Sequence, residues 1–120
     1  MLKDWPHMAT EMSALTKQLR AANGTPEVMK AFSAMAAAAT GAKALDTKTK
    51  ELVALGIAVA VRCDPCITYH VESARKHGAT REEIMETVGM AIYMGAGPSV
   101  MYAAQAVEAY DQYAAKAAAE

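Results

Sequence analysis

The chain has 120 residues, of which 53% are hydrophobic and 21% are charged, and its 12 Lys and Arg against 13 Asp and Glu give a net charge of -1. This length suits one domain, predicted to span residues 1–120, and the apolar fraction excludes a disordered chain. The charge is balanced and forms no dense basic block, which argues against a nucleic-acid binder.

The sequence patterns of a signal peptide and of a membrane-spanning helix are not found in the chain. Residues 1–10 contain Asp4, Pro6 and His7, where a signal peptide needs a basic stretch followed by an apolar one. The longest uncharged apolar run, residues 52–61, has about half the length of a membrane-spanning helix. We therefore predict a cytoplasmic protein with no membrane partner and no nucleic-acid partner.

Residues that begin and end helices are frequent in the first third of the chain, and the patterns typical of strands are nearly absent throughout. A first helix is predicted over residues 4–22, stopped by Asn23-Gly24. A second is predicted from Thr25 as N-cap and Pro26 at the first helical position to near Gly41. The apolar stripes of these helices are Met8, Met12, Leu15 and Leu19, and Val28, Phe32 and Met35.

The middle of the chain predicts two further helices. The third, capped by Asp46 or Thr47, runs through Val61 and is hydrophobic on all sides, so we expect it to be central. The fourth is predicted to begin with Asp64 as N-cap and Pro65 at the first helical position, and to end at residues 76–77 before a glycine.

The last third completes a predicted all-α, single-domain bundle of about six helices. A capping box of Thr80 and Glu83 opens the fifth helix, which runs to Met94 before a break at residues 95–98, and Ser99 is predicted to cap the sixth. So small a chain, with one helix apolar all round, is expected to have more apolar surface than it can bury alone. We therefore predict a homo-oligomer.

Cys63 and Cys66 are the candidate reactive residues. In a reducing compartment, a Cys-x-x-Cys pair is better interpreted as reactive or metal-binding than as a permanent structural disulfide. A free thiol has a pKa near ~8.5, so catalysis requires activation. The N-terminus of the fourth helix and His70, four residues after Cys66, could both supply it. We predict Cys66 as the nucleophile and Cys63 as the resolving thiol.

Glu51 is the candidate partner of His70. As the acid of the third helix, it could orient the imidazole or relay its proton. A strict antiparallel hairpin would leave the two side chains misaligned by several ångströms, whereas crossed helices would bring them together. The alternative is an ordinary first-turn acid stabilised by the helix dipole.

Glu51, Cys63, Cys66 and His70 together resemble the Glu…Cys-x-x-Cys-x-x-x-His signature of alkyl hydroperoxidase D, within the carboxymuconolactone decarboxylase family. The Lys-Glu-Leu entry to the third helix, the Tyr69-His70 pair and the Gly-Ala-Thr restart before the fifth helix are also similar to that family. The resemblance covers roughly residues 45–110.

The resemblance implies an all-helical fold that is usually oligomeric, often a trimer or hexamer, and thiol-dependent peroxide reduction or disulfide exchange. We predict no cofactor. Cys66 then matches the cysteine that forms the sulfenic acid, Cys63 its resolving partner, and His70 with Glu51 the proton relay. The predicted partners are a hydroperoxide or a protein disulfide and a thiol electron donor, whose identity the resemblance does not supply because the chain is shorter than the full-length enzyme. One position departs from the full-length hydroperoxidase, which has a histidine where this chain has Pro65, so strong peroxidase activity is not implied.

Two other functions remain open at this point. A carboxymuconolactone-type decarboxylase acting on a small lactone acid would not need the cysteine pair. A non-enzymatic helical assembly module could instead bind zinc through Cys63, Cys66 and His70, with His7 or His77 as the fourth ligand.

Overall fold

The computed structural model describes residues 1–120 and contains five α-helices and no strand. In chain order they are α1 (Trp5–Arg20), α2 (Pro26–Thr40), α3 (Thr47–Ala60), α4 (Asp64–Lys76) and α5 (Arg81–Ala119). The prediction of an all-helical fold is therefore confirmed. No helix is both long enough and apolar enough to cross a membrane.

The predicted fifth and sixth helices form a single kinked element, α5. Ala96, with φ 55° and ψ -138°, interrupts its helical path, and Pro98 follows within the same turn. Ser99, predicted to cap a separate helix, instead lies buried inside α5. A Cβ atom on Gly95 would lie 2.0 Å from the Ser99 Oγ, so glycine is required there for the two turns to pack together.

The helix boundaries otherwise follow the predicted capping residues closely. Asp4 caps α1 by accepting a hydrogen bond from the His7 amide at 3.1 Å, and α1 ends at Arg20, two residues before the predicted end. Thr80 and Glu83 form the predicted capping box of α5, with both reciprocal hydrogen bonds present. The local sequence signals therefore determine where most helices start.

One apolar core lies where α3, α4 and α5 pack against one another, with a contribution from the first residue of α1. Each fully buried aliphatic side chain contributes about 1.5–3 kcal/mol relative to exposure. The largest fully buried side chains are Trp5, Leu55, Val59, Ile67, Thr68, Val71, Ile84 and Val88.

Apolar side chains on two helices, α2 and the central helix α3, remain uncovered within the chain. The α2 stripe of Val28, Phe32 and Met35 is exposed, and α2 carries no buried residue because it contacts only α1 and α3 at the edge of the bundle. Helix α3 is not covered on all sides, since Val53 and Ile57 are more than half exposed. Its other face packs into the core and carries the side chains that matter for the site.

Candidate redox site

The turn between α3 and α4 is set by a left-handed residue, Arg62, at φ 61°. The Arg62 amide donates to the Val59 carbonyl at 3.2 Å and the Cys63 amide donates to the Ala58 carbonyl at 3.1 Å. These two hydrogen bonds are those of a Schellman motif, which ends a helix and reverses the chain. The turn therefore delivers Cys63 directly to the start of α4.

Cys63, rather than the predicted Asp64, is the N-cap of α4. Asp64 and Pro65 occupy the first two helical positions, because the Schellman turn brings the chain into the helix one residue earlier than the Asp-Pro pattern indicated. The Cys63 Sγ accepts a hydrogen bond from the Cys66 amide at 3.3 Å. Cys66 lies in the first turn of α4, as predicted.

Cys63 and Cys66 form a disulfide, with their Cα atoms 5.2 Å apart. Both residues are partly buried, and Cys66 packs against the hydrophobic core. The free N–H groups of the first helical turn place partial positive charge beside the pair. When the disulfide is reduced, this end of α4 stabilises a thiolate.

Glu51 and His70 meet across the hairpin. The His70 Nδ1 lies 2.7 Å from the Glu51 Oε2, with the Glu51 side chain only 3% exposed and that of His70 23% exposed. Helices α3 and α4 therefore cross in the way that the pairing requires. A buried carboxylate without its partner would be strongly unfavourable, so the contact holds the imidazole in place.

This hydrogen bond defines the chemistry available to His70. With Glu51 ionised, its carboxylate can only accept, so the contact places the imidazole hydrogen on Nδ1 and leaves the lone pair on Nε2. The Tyr69 ring packs edge-on against the imidazole with centroids 5.0 Å apart. His70 follows Cys66 by four positions, which places the two side chains on one face of α4 about 5–6 Å apart at Cβ.

A buried hydroxyl pair on α4 fixes the back of the site. The Thr68 hydroxyl donates to the Trp5 carbonyl at 3.0 Å and lies 2.7 Å from the Tyr113 hydroxyl, which donates to it in turn. Burial raises the pKa of Tyr113, so this hydroxyl keeps its hydrogen at neutral pH. Helix α4 is thereby tied to both the N-terminal residues and α5.

Sequence reasoning missed one charged contact at the site. Lys3 forms an ion pair with Asp64, the residue between the two cysteines that adjoins Cys63. The two positions are 61 residues apart in the chain, so no local pattern could have indicated the contact. The only hint in the sequence was the presence of one lysine, Lys3, near the start of the chain.

The donor set for a metal ion is not assembled. No group of three or more His, Cys, Asp or Glu side chains is arranged to hold one. His7 instead lies 3.6 Å from Glu11, and the His77 Nδ1 hydrogen-bonds to the Ser73 carbonyl at 2.8 Å. A cavity of about 290 Å³ lies between α1 and the C-terminal ends of α4 and α5, and none of the four predicted site residues lines it.

Comparison with known proteins identifies related chains over most of this length. The carboxymuconolactone decarboxylase family model matches residues 26–109. An uncharacterised protein of Cupriavidus necator is 36% identical over 105 residues, covering 87% of this chain and 93% of its own.

Two crystal structures are also similar. An apo carboxymuconolactone decarboxylase family protein of Legionella pneumophila has a TM-score of 0.86 and 47% identity, covering 91% of this chain and 96% of its own. A family member of Thermotoga maritima has a TM-score of 0.73 and 30% identity, covering 77% and 95%. A role in an antioxidative response has been suggested for the Thermotoga protein.

Proposed function

This chain belongs to the carboxymuconolactone decarboxylase family, and we propose that it is a thiol-dependent oxidoreductase of the alkyl hydroperoxidase D type. The observation that carries the proposal is the Cys63–Cys66 disulfide at the N-terminus of α4, one turn before a histidine bonded to a buried carboxylate. A purely structural disulfide would not need this base, whereas a thiol that must lose and regain a proton does.

In the proposed cycle Cys66 is the nucleophile. His70 Nε2 takes the Cys66 thiol proton, and Glu51 stabilises the resulting imidazolium through Nδ1. The thiolate attacks a hydroperoxide, so that an S–O bond forms, the O–O bond breaks and the alkoxide leaves as the alcohol after taking the proton from His70. Cys66 is then a sulfenic acid, oxidised by two electrons.

Cys63 completes the oxidation. Its thiolate, stabilised by the hydrogen bond from the Cys66 amide, attacks the sulfenic sulfur. The S–S bond forms and the S–O bond breaks, and the hydroxide that leaves takes up the proton lost by the Cys63 thiol to give water. An external dithiol then returns two electrons and two protons by thiol–disulfide exchange, which regenerates both thiols. A protein disulfide could take the place of the hydroperoxide, with the same cysteines acting as reductant.

Pro65 affects the balance between these two reactions. It stands where the full-length hydroperoxidase has a histidine, so His70 is the single imidazole on this turn and the next. Peroxide reduction needs a proton delivered to a poor leaving group, whereas disulfide exchange expels a thiolate that needs less assistance. We therefore propose disulfide exchange as the faster activity of this chain.

The exposed faces of α2 and α3 support a second proposal, that copies of this chain associate. Phe32 and Met35 on α2, and Val53 and Ile57 on α3, are all more than half exposed. Apolar side chains clustered on two neighbouring helices are typical of a covered interface. The family resemblance implies a trimer or a hexamer for this assembly.

Steady-state turnover with dithiothreitol as the electron donor tests the redox proposal. Cumene hydroperoxide and a small aromatic disulfide serve as alternative acceptors, with Cys66→Ser, Cys63→Ser and the double variant beside the wild type. We expect Cys66→Ser to abolish both activities and the disulfide to be the better acceptor. Turnover in the double variant that exceeds the protein-free rate of dithiothreitol with the same acceptor would refute the proposal. A separate assay in which the double variant still decarboxylates a small lactone acid would favour the decarboxylase instead.

A further inference from the structure

The first residues of the chain form a strap across α5, which we call the N-terminal strap (residues 1–5). The Glu108 carboxylate accepts hydrogen bonds from the Leu2 amide at 2.7 Å, the Lys3 amide at 2.9 Å and the Trp5 Nε1 at 2.9 Å. These bonds, the Leu2 amide first, hold the pKa of Glu108 below its ordinary value. Gln112 adds two more bonds to the strap backbone.

The N-terminal strap holds the Lys3 ammonium group in one place. Its Nζ pairs with Asp64 Oδ2, donates to the Gln105 Oε1 at 2.7 Å and lies 5.3 Å from the centroid of the Trp5 ring. Trp5 is fully buried, so the aromatic face that supports the ammonium is itself fixed. A surface lysine usually samples many rotamers, and three partners restrict this one.

Asp64 depends on this ammonium. The carboxylate lies at the first position of α4, between the cysteines in the chain, and its side chain is 27% exposed against 31% for Lys3. Its Oδ2 pairs with Lys3, whereas its Oδ1 is buried with no hydrogen-bond partner. Without Lys3, the negative charge of Asp64 would be uncompensated on the residue that directly follows Cys63 in the chain.

We propose that Lys3 is a positioning residue that neutralises Asp64 and thereby sets the equilibrium between the Cys63–Cys66 disulfide and its dithiol. The inference rests on the proposed redox function. It adds that the charge of Lys3, which is distant from the cysteines in the sequence, affects the stability of their reduced state. The reaction concerned is exchange with an external dithiol: its two thiols become a disulfide while the Cys63–Cys66 bond breaks, and of its two protons one goes to Cys63 and the other to His70 or solvent when Cys66 is held as the thiolate.

The sign of the effect follows from the charge on a thiolate. A negative carboxylate near the cysteines disfavours the thiolate and so destabilises the reduced state relative to the uncharged disulfide. A nearby ammonium does the opposite. Lys3→Met should therefore shift the equilibrium toward the disulfide, Asp64→Asn should shift it toward the dithiol, and the double variant should lie between them.

The experiment is equilibration of the full chain with mixtures of reduced and oxidised dithiothreitol, followed by acid quenching and intact mass. For a partly exposed pair we expect each single substitution to change the equilibrium constant about threefold to tenfold, the upper value being about 30 mV. Lys3→Arg should restore the wild-type value. Lys17→Met, which removes an exposed lysine of α1 without an ion-pair partner, is the matched control.

A structural role for the strap predicts different results. If Lys3 only stabilised the fold, Lys3→Met and Asp64→Asn would shift the equilibrium in the same direction or not at all. Either result overturns the inference about Lys3. The proposed redox function still stands in that case, provided that the disulfide cycles reversibly. If the wild-type disulfide cannot be cycled, both fail. Should Lys3→Met not fold, Lys3→Gln, which also removes the charge, takes its place and must shift the equilibrium toward the disulfide, opposite to Asp64→Asn.

Discussion

Helix α2 and the α3–α4 hairpin carry apolar residues at the same helical spacing, yet only the hairpin is covered. Helix α2 has no buried residue, whereas Leu55, Val59, Ile67 and Val71 on the hairpin are fully buried. Helical periodicity therefore identifies an apolar face but not what covers it. The difference also bears on function. A catalytic site needs side chains that packing holds rigidly, and within one chain the α3–α4 hairpin has that packing whereas α2 does not.

The largest expected effect comes from the hairpin core. Leu55→Ala should lower the free energy of unfolding by about 2–5 kcal/mol, because it leaves a cavity beside α5. Urea unfolding measures this. Val53→Ala, two residues away on the exposed face of α3, is the control and, at a dilution where the chain is monomeric, should change the same quantity by less than about 1 kcal/mol. Equal losses would contradict the difference between the two faces.

Glu51→Gln tests the site that the hairpin supports. The amide keeps the shape of the side chain but removes the charge that stabilises a protonated His70, so kcat for disulfide exchange should fall about tenfold to a hundredfold with little change in KM. Glu82→Gln, an exposed acid of the first turn of α5, serves as the control. An unchanged kcat would show that Glu51 has no part in the relay.

Glu108 extends the comparison to the N-terminal strap. Hydrogen bonds from the strap lower the folded-state pKa of Glu108 below the ordinary value of 4.5. The ionised carboxylate therefore stabilises the folded state fully when the pH is above that ordinary value, and this stabilisation is lost as the pH falls through the lowered pKa. Thermal melting of Glu108→Gln between about pH 7 and about pH 3 should therefore show a shallower acid decline than the wild type. Parallel curves would contradict this.

Arg62 offers a smaller change of opposite sign. Its left-handed backbone is strained for a residue with a Cβ, so Arg62→Gly should raise the free energy of unfolding by about 0.5–1 kcal/mol. Arg62→Ala loses the same charge while keeping the Cβ. It should therefore not stabilise the protein in urea unfolding, and stabilisation by both variants would assign the effect to charge rather than to the backbone.

The smallest effect on monomer stability is expected on α2. Phe32→Ser should change the free energy of unfolding at high dilution by less than about 0.5 kcal/mol, because the side chain is 54% exposed. The same substitution should weaken self-association, measured by sedimentation velocity over a range of concentrations. A large loss of stability in the monomer would mean that α2 is covered within its own chain.

Local signals predicted most of the fold. The Thr80–Glu83 capping box is an interaction within three residues and Pro26 is the first residue of α2, so the sequence displays both starts directly, although Thr25 at the N-cap makes no side-chain capping hydrogen bond. The kink at Ala96 was predicted as a full break because Gly and Pro punctuate helices strongly. Only packing decides whether the two segments then remain in line, and here Ser99 packs against Gly95 and keeps them as one element.

The site was less accessible to sequence reasoning. The register of Cys66 and His70 on one helix could be counted, but the distance between Glu51 and His70 depends on how α3 and α4 cross, which no spacing determines. The Cys63 cap depends on the left-handed Arg62, a conformation that arginine rarely adopts. The Lys3–Asp64 pair depends on the path of the whole chain.

The most direct test of the central claim is the intact mass of the reduced protein after brief exposure to hydrogen peroxide, with Cys63→Ser and Cys66→Ser beside the wild type. We expect the wild type to lose two hydrogens reversibly and Cys63→Ser to gain one oxygen, trapped as a sulfenic acid on Cys66. Cys66→Ser should react no faster than a free cysteine. A rapid oxygen gain in Cys66→Ser instead would contradict the assignment of Cys66 as the nucleophile.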